Sequence, residues 1–394
     1  MRILHITRDL LPRSNGGIST AVAGMMRASV RAGAVCAAIS FDAWRPRARA
    51  GVRDRRAQPM SSGEPSLGPG EAQDGAICRL SMPDELPRAH EFADRFAPTL
   101  LHVHHSMLWP FARELRARLG GPAIAQMHVV QAEQNRLRGL SRATLSLSAQ
   151  IEALTQADRV IAPSPAAARA LQRGHADLAR AIDVVPLGID DGQMARTHAA
   201  RARADGPVLY AGRFADINGT AELLAAIPRV LERRPETRFI IAGGLPDNAK
   251  AERRWRRRFD DALAEPMRAR VRLIGWQDAA QLALLYGRAA VLVSPSWFET
   301  FGLVVLEAML HGVAVVATRS GGVEELIEHQ RTGLLSPPRD IDGLVEHIVT
   351  LLEQPERARA LGRAGAAEIR RRHLWQHVVP TLHHLYERAA DAIA

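Results

Sequence analysis

The stretch SPSWFETFGLVVLEAM at residues 294–309 decides the fold of this chain. It follows a short apolar run, Val291-Leu292-Val293, which suits a buried parallel strand. Residues 303–310 then show helical periodicity and are followed by Gly312, which suits the position just after a helix end. The stretch therefore predicts a strand, a loop and a helix in succession, as in α/β sheets.

The loop before this predicted helix is suited to an anion. The backbone N–H groups of Phe301, Gly302 and Leu303 would lie at a positive helix terminus, and Gly302 has no Cβ to hold a ligand away. Glu299 precedes the helix and Glu307 lies one turn into it. Carboxylates repel phosphate but accept hydrogen bonds from hydroxyl groups. The pair makes sense if the N–H groups hold a diphosphate while one glutamate holds a sugar and the other a ribose.

Strand-like apolar runs alternate with helical patterns along the chain, which predicts parallel strands joined by crossover helices. A polar connection at residues 191–205 divides the pattern into two sets. The predicted fold class is therefore α/β, with two doubly wound domains facing each other across a cleft. The predicted strands are residues 3–7, 35–40, 100–104, 123–127, 159–163 and 182–185 before the connection, and 208–210, 239–242, 271–274, 290–294 and 314–318 after it.

Further motifs stand in a fixed order along the chain. The first strand is followed by Pro12 and the glycine loop GGIS at 16–19, VVPLGID occupies 184–190, VLYAGRF occupies 208–214, and GGVEE at 321–325 follows the Glu-x7-Glu stretch. In this order and at these distances they resemble the motifs of retaining glycosyltransferases with the GT-B fold, the family 4-like group also called glycosyl transferases group 1. The resemblance runs nearly end to end.

The resemblance implies a domain plan and a site. Residues 1–187 would form a Rossmann-like acceptor-side domain, 188–372 a nucleotide-sugar donor domain, and 373–394 a helix that crosses back to the first domain. Arg213 matches the family's diphosphate-binding arginine, and His128 matches a histidine near the reactive carbon of the sugar. The candidate catalytic residues are Arg213, Glu299 and His128, and the candidate donor-binding residues are Gly16, Gly17, Gly212, Asn218, Phe301, Gly302, Leu303 and Glu307.

Simpler interpretations stay open for some of these residues. Arg213 can instead bond helix carbonyls, and Gly16 and Gly17 can form a plain turn. His102 and His104 share one face of a predicted strand and could form a metal-binding pair, but no third ligand is visible, so buried, hydrogen-bonded histidines are favoured. No Asp-x-Asp motif stands where a metal-dependent transferase would have one. We therefore expect neither a metal nor another cofactor.

The chain departs from the family pattern at one position. A lysine is expected a few residues after Arg213, just before a glycine, and the chain has Asn218-Gly219 there. Lys250 is the single lysine in the sequence and lies outside any motif. Because asparagine donates a hydrogen bond but supplies no charge, stabilisation of the leaving diphosphate should be weaker. An alternative hypothesis is therefore a catalytically weak homologue that binds a sugar nucleotide or scaffolds a biosynthetic complex.

Length and composition set the broad class of protein. A chain of 394 residues with 47% hydrophobic residues suits two globular domains. Neither a membrane span nor a signal peptide is visible, and Cys36 and Cys78 show no disulfide or metal-ligand pattern, so we expect a cytoplasmic protein. The net charge of +10 suits nucleic acids, anionic lipids or anionic substrates and does not choose among them.

Two segments carry weaker signals. Residues 45–75 are rich in Arg, Pro, Gly and Ser and predict a flexible insertion, with a role in acceptor choice as the less favoured interpretation. The run RRWRRRF at 253–259 could lie on anionic lipid or bind RNA. A solvated helix face with Trp255 and Phe259 turned to the core is favoured. We expect no nucleic-acid partner, and peripheral contact with an anionic inner membrane surface stays open.

Together these observations predict a retaining, metal-independent transfer of a hexosyl unit from a nucleoside diphosphate sugar, with UDP-sugars the first choice. The acceptor would be a hydroxyl group on a sugar, a lipid-linked sugar or a small molecule, in bacterial surface-glycan, glycolipid or secondary-metabolite biosynthesis. No residue stands out as a double-displacement nucleophile, so front-face attack is the preferred mechanism.

Overall fold

The computed structural model describes residues 1–8, 10, 16–41, 76–80, 85–140, 144–175, 181–191, 205–244 and 249–392. The predicted insertion at 45–75, most of the connection at 191–205, and Pro12 in the first glycine loop lie outside the described residues. In the described part of the chain, no helix combines the length and the apolar character needed to cross a membrane.

The first sheet has seven parallel strands in the order β3-β2-β1-β4-β5-β6-β7. The order places the central strands next to a point where the connections reverse direction, which is where doubly wound sheets bind ligands. Its strands are β1 (Arg2–Thr7), β2 (Val35–Ser40), β3 (Ala76–Arg79), β4 (Leu100–Val103), β5 (Ala123–Gln126), β6 (Arg159–Ala162) and β7 (Asp183–Val184).

Helices cover both faces of this sheet. Met25 and Tyr386 pack with Ile3 and Leu100 on one face, and Trp109 lies in the apolar core on the other. The described helices of the first half are α1 (Gly17–Arg31), α2 (Leu86–Phe96), α3 (Trp109–Leu119), α4 (Gln131–Leu137), α5 (Leu145–Gln156) and α6 (Pro165–Gly174).

The second sheet has six parallel strands in the order β10-β9-β8-β11-β12-β13. The strands are β8 (Val208–Arg213), β9 (Phe239–Gly244), β10 (Val271–Gly275), β11 (Val291–Ser294), β12 (Ala314–Thr318) and β13 (Leu334–Ser336). The helices are α7 (Thr220–Arg233), α8 (Ala249–Ala262), α9 (Glu265–Arg268), α10 (Ala279–Tyr286), α11 (Leu303–Leu310), α12 (Val323–Leu326), α13 (Ile341–Glu353), α14 (Pro355–Arg372) and α15 (Trp375–Asp391).

The last helix, α15, packs on α1 of the first half of the chain. Trp375 opens α15 and rests on Gly24, where an added Cβ would lie 2.2 Å from the indole Nε1. Further along, Tyr386 is fully buried against the first sheet. The structure thus ties the C-terminal helix to the first sheet, while the exact domain limits at 187 and 372 stay a prediction.

The sequence predictions for the fold are confirmed: two parallel sheets carry helices on both faces. Two strands were missed, β3 and β13, because four and three residues are too short to show a pattern. Strands β8 and β9 also run beyond their predicted ends, since Gly212 pairs with Gly243 and glycine carries no apolar signal. Trp255 and Phe259 are buried, as favoured for the arginine-rich helix α8.

Candidate functional site

Two helix N-termini meet between the sheets. Gly16 caps α1 and Gly302 caps α11. A Cβ added to Gly17 would lie 2.8 Å from Cδ1 of Leu303, so the first residues of the two helices are in contact. Within the part of the chain that the structure describes, the N–H groups of Gly17 and Leu303 have no hydrogen-bond acceptor. Two positive helix ends converge here, an arrangement that favours an anion.

The N-terminus of α11 depends on a left-handed glycine. Gly302 has a φ of 99°, a conformation that strains residues with a side chain. A Cβ there would also lie 3.0 Å from Cγ2 of Val323. Phe301 before it is 2% exposed and packs into the core of the second half. The prediction of a glycine-opened helix ended by Gly312, which has a φ of 75°, is confirmed.

Glu299 lies in the loop before α11 and is half-buried. Its Oε1 accepts a hydrogen bond from the Ser296 hydroxyl at 2.8 Å. Its backbone pairs with the segment after β12, because its N–H donates to the Ser320 carbonyl and its carbonyl accepts from Gly322. Burial raises the pKa of the Glu299 carboxyl, and the Ser296 hydrogen bond opposes this shift.

Glu307 lies one turn into α11, as the sequence predicts. The hydroxyl of the buried Tyr286, at the end of α10, donates to Glu307 Oε2 at 2.9 Å. Burial raises the pKa of Glu307 to about 7, and the hydrogen bond from Tyr286 opposes the shift. Near neutral pH this group is therefore divided between its protonated and ionised forms.

Arg213 ends β8 and is exposed, and it makes no ion pair with any residue that the structure describes. The alternative that it bonds helix carbonyls has no support among the hydrogen bonds of the described residues. Gly212 before it leaves only 3.2 Å between an added Cβ and the Tyr210 hydroxyl. The exposed guanidinium is free to meet a ligand.

Asn218 closes a 3-10 turn, Asp216–Asn218, which leads into α7. This turn packs closely against the loop that carries Glu299, since a Cβ on Gly219 would lie 1.9 Å from the Pro295 carbonyl oxygen. Among the described arginines, Arg258 of α8 reaches the turn, with its guanidinium 3.9 Å from the Asp216 carboxylate. A positive group therefore lies near the position of the absent lysine, although Asp216 offsets its charge.

His128 follows β5 and joins the first sheet to the loop of Glu299. Its backbone carbonyl accepts a hydrogen bond from the Thr300 hydroxyl at 2.8 Å. Its ring is 7% exposed, and Nε2 lies 3.1 Å from Nδ1 of His104. His104 Nε2 in turn lies 2.9 Å from Nδ1 of His5. The three rings form a chain of hydrogen bonds from the cleft into the first sheet.

Burial keeps these rings neutral. It lowers the pKa of His5 to about 3 and that of His128 to about 4, and it lowers the pKa of His104 well below its usual value. Each neutral ring has one N–H. The three histidines must therefore all donate in the same direction along their row of hydrogen bonds. Among the residues that the structure describes, His5 Nε2 is buried without a hydrogen-bond partner, and a bare acceptor there is less costly than a bare donor. We therefore assign the N–H of His128 to Nδ1, the ring atom left for the cleft.

The structure brings a third histidine to the pair that the sequence singled out. Ring nitrogens of His5, His102 and His104 all lie within 4.8 Å of one another. The 2.9 Å contact between His5 and His104 is, however, a hydrogen bond that places a proton between the two nitrogens. His102 Nδ1 lies 2.7 Å from the Tyr386 hydroxyl. In this arrangement the histidines are hydrogen-bonded, which is the interpretation that the sequence favoured.

The structure thus brings some predicted residues of the two halves of the chain together: Gly17 contacts Leu303, and His128 accepts a hydrogen bond from Thr300 in the loop of Glu299. Sequence reasoning missed Tyr286 and Ser296, which contact the two glutamates. Ser296 stands three residues before Glu299, a spacing that could have suggested a pairing within the loop. Nothing local marks Tyr286, since it meets Glu307 only through packing.

Two models of known protein families match this chain. The model described as Glycosyltransferase Family 4 matches residues 15–193, and the model described as Glycosyl transferases group 1 matches residues 206–354. This chain belongs to the GT-B glycosyltransferases of family 4. The two matches fall on the two halves of the chain that carry the two sheets.

Two relatives illustrate the breadth of the family. D-inositol 3-phosphate glycosyltransferase from Segniliparus rotundus is 30% identical over 281 residues, which are 68% of this chain and 62% of the relative. Glycogen synthase from Mycobacterium tuberculosis is 32% identical over 207 residues, 52% of this chain and 48% of the relative. The chain thus spans less than two thirds of the length of either relative.

Solved structures share the fold of this family member over nearly its whole length. Sucrose-phosphate synthase from Thermosynechococcus elongatus superposes with a TM-score of 0.78 and 24% identity, covering 99% of both chains. Anabaena HepE in complex with UDP and glucose superposes with a TM-score of 0.72 and 16% identity, covering 98% of this chain and 100% of that one. These similarities establish the architecture.

Proposed function

We propose that this family 4 protein transfers a hexosyl unit from a nucleoside diphosphate sugar to a hydroxyl acceptor, with retention and without a metal ion. The observation that carries the proposal is the meeting of the α1 and α11 N-termini at Gly17 and Leu303. The N–H groups of Gly17 and Leu303 have no acceptor among the described residues. They would offer a diphosphate donors that are already in place, which is how leaving-group charge is stabilised without reorganisation.

The side chains around the two helix N-termini would bind the diphosphate, the ribose, the transferred sugar and the acceptor. Arg213 has no competing ion pair among the described residues, and its planar fork matches paired phosphate oxygens. Glu307 would accept hydrogen bonds from ribose hydroxyls, and Glu299 from hydroxyls of the transferred sugar. The Nδ1–H of His128 would donate to a sugar or acceptor oxygen from the opposite wall.

Retention without a covalent intermediate is the mechanism that these contacts favour. A double displacement needs an ionised carboxylate beneath the anomeric carbon. The Ser296 hydroxyl already donates a hydrogen bond to Oε1 of Glu299, which favours a binding role for this carboxyl over that of a nucleophile. We propose instead that the acceptor attacks from the side of the departing diphosphate, whose oxygen takes the acceptor proton.

The nucleobase of the donor and the identity of the acceptor are the open choices. A uridine diphosphate donor is our first choice, and HepE, which shares the fold, was solved with UDP-glucose. Starch synthase IV from Arabidopsis thaliana was solved with ADP and acarbose, and the name of the Segniliparus relative contains an inositol phosphate. Adenosine donors and phosphorylated polyols therefore belong in the test beside uridine donors and plain sugars.

The test is a screen of UDP-, ADP- and GDP-glucose against the purified protein, by thermal shift and by release of the nucleoside diphosphate. A donor at about a hundred times its dissociation constant should raise the free energy of unfolding by about 2.7 kcal/mol. Turnover should follow on addition of the right acceptor, and the product should keep the anomeric configuration of the donor. If no nucleotide sugar stabilises the protein, the proposed donor class is wrong.

A second candidate function rests on Asn218. If a nucleotide sugar binds but is neither hydrolysed nor transferred, the protein is the catalytically weak homologue. Asn218→Lys separates the two candidates, because a charge-assisted contact with the diphosphate is worth about 1.5–3 kcal/mol. We expect tighter diphosphate binding and faster turnover. Loss of activity in a folded Asn218→Lys variant would instead give Asn218 a role of its own.

Attachment to an anionic membrane also stays a proposal, as does the cytoplasmic location. Arg253, Arg254 and Arg257 on α8 are exposed, whereas Trp255 and Phe259 face the core and cannot insert into lipid. Any attachment would therefore be electrostatic and salt-sensitive. Co-sedimentation with phosphatidylglycerol vesicles at low and high salt tests it.

A further inference from the structure

A cavity of about 400 Å³ lies beside the candidate site, between the two halves of the chain. Five arginines line it, Arg136, Arg169, Arg173, Arg319 and Arg339, and its one acidic residue is Glu133. We call it the arginine groove. Three of its arginines come from α4 and α6 and two from the second half of the chain, so both halves contribute positive charge.

The charge of this groove is not a simple consequence of an arginine-rich sequence. Another cavity, of about 580 Å³, lies on the second half of the chain between α7 and α13. There Arg229 pairs with Asp342, Arg233 pairs with Glu346, and Glu232 adds a further acid. That cavity is balanced by its own acids, whereas the arginine groove has one acid for five bases. The imbalance is local to the groove.

The arginines of the groove are poorly neutralised. Glu133 is held by Arg136 at 2.7 Å and lies 3.7 Å from Arg173, so one carboxylate serves two guanidinium groups. Arg319 lies 3.8 Å from Glu324, and Arg169 has no ion pair or hydrogen bond among the residues that the structure describes. Clustered guanidinium groups repel one another and match the oxygens of phosphate or carboxylate in pairs.

The backbone at Arg339 is a separate sign of a built site. Arg339 has a φ of 68°, in the left-handed region that residues with a side chain rarely adopt. Its guanidinium stacks 3.8 Å from the Trp297 ring centroid and donates to the Leu137 carbonyl in α4 at 3.1 Å. Strained backbone of this kind persists where the surroundings hold it, often at ligand sites. Here this backbone conformation lets Arg339, from the second half of the chain, contact α4 of the first half.

We propose that the arginine groove binds a phosphate or carboxylate group carried by a small molecule. The groove and the candidate site share one loop: Phe298 lines the groove, and the next residue, Glu299, belongs to the site. An anionic group seated in the groove would therefore place the rest of its molecule beside the acceptor side of the reaction. This last step rests on the proposed function, whereas binding of the anion does not.

The experiment measures binding of glucose 1-phosphate and inorganic phosphate to the full chain by calorimetry at low ionic strength. The groove variant is Arg169→Gln/Arg173→Gln, and the matched control is Arg229→Gln/Arg233→Gln, which removes equal charge from the balanced cavity. We expect the groove variant to bind glucose 1-phosphate about tenfold more weakly and the control to bind like wild type. If the double variant does not fold, Arg169→Gln alone replaces it, because Arg169 is exposed.

Arg213→Ala distinguishes the groove from the diphosphate site. Anion affinity retained in Arg213→Ala and lost in the groove variant supports the proposal. Affinity lost only in Arg213→Ala, or equal in the groove and control variants, overturns it. Tighter binding of glucose 1-phosphate than of inorganic phosphate supports an anionic group carried by a small molecule, and equal affinities overturn that part of the proposal. Because binding is measured without turnover, an inactive protein can still pass this test and an active one can fail it.

Discussion

Behind the wall of the cleft formed by the first half of the chain lies a row of histidines that begins at His128, whereas the wall formed by the second half carries glutamates and an arginine. His128, His104 and His5 are almost fully buried, and burial lowers their pKa values. Glu299 and Glu307 are half-buried, and burial raises theirs. Low polarity disfavours the charged form of both kinds of group.

The difference bears on the proposed binding of a diphosphate at this site. The histidines contribute no charge near neutral pH, because burial lowers their pKa values. In the proposed scheme Glu307 binds the ribose hydroxyls and not the diphosphate. What remains is the exposed guanidinium of Arg213 and the two helix N-termini at Gly17 and Leu303. In the proposed scheme the diphosphate is therefore held by one side chain and by backbone N–H groups, and Arg213 can be removed without changing the backbone donors.

The largest expected effect is on Arg213. In Arg213→Ala we expect turnover to fall about 100- to 1000-fold, because charge on the leaving diphosphate grows in the transition state and a preorganised donor is worth about 2.7–4 kcal/mol. Donor binding should fall less. Steady-state kinetics and calorimetry measure the two losses. Arg213→Lys keeps the charge but not the planar guanidinium group. Its turnover should lie between that of wild type and that of Arg213→Ala. Equal losses in turnover and binding would show that Arg213 contributes to ground-state binding and not specifically to the transition state.

The next expected effect is on the pH dependence of stability, and it tests whether the buried histidines are neutral. The pKa of His5 is about 3 in the folded chain and near 6.5 when unfolded, so the unfolded state binds more protons between these values. Stability is therefore fully present above pH 6.5 and falls as pH drops below it. Between pH 8 and pH 5 this one residue should lower the free energy of unfolding by at most about 2 kcal/mol. Urea unfolding across this range measures it.

The controls for this effect are two histidine variants. His5→Gln removes one of the buried rings and should make the pH dependence of stability less steep, with His104 and His128 still contributing, whereas His384→Gln, at an exposed position of α15, should not change it. The comparison uses the slope with pH, so a constant destabilisation by His5→Gln does not matter. Parallel slopes for wild type and His5→Gln would show that His5 titrates normally in the folded protein.

A smaller effect concerns the opposite wall. Glu307→Gln should weaken binding of the nucleoside diphosphate about tenfold, because the hydrogen bonds of a carboxylate to ribose hydroxyls are lost. Since the pKa of Glu307 is about 7, wild-type affinity should rise between pH 6 and pH 8 as the carboxyl ionises. In Glu307→Gln calorimetry should show no such rise. The exposed Glu265→Gln is the control, and unchanged affinity in Glu307→Gln would remove the ribose assignment.

The smallest expected effect is that of a chelator. Arg213 and the helix termini take the place of a cation in the proposed scheme, so EDTA should leave the transfer rate unchanged. Loss of activity that zinc or magnesium restores would overturn the metal-independent proposal. It would also direct attention to His5, His102 and His104, whose ring nitrogens lie within 4.8 Å of one another. His102→Gln would then test whether the metal binds in that cluster.

The sequence alone determined what is encoded by neighbouring residues. The limits of α11 at Leu303 and Leu310 followed from apolar periodicity and from Gly302 and Gly312, whose positive φ angles explain the glycines. The alternation of strands and helices gave two parallel sheets, and the ordered motifs gave the family. These signals are local, because helix periodicity and glycine geometry act within a few residues.

Only the tertiary structure decided what depends on packing between distant segments. His5 and His104 are 99 positions apart, and His102 and Tyr386 are 284 apart, so no pattern along the chain could reveal their hydrogen bonds. The pKa of about 7 at Glu307 likewise depends on its burial. The arginine groove exists because α4 and α6 meet the loop of Arg339. Burial and charge balance are properties of assembled surfaces, and a linear sequence does not specify which surfaces meet until the two halves of the chain pack together.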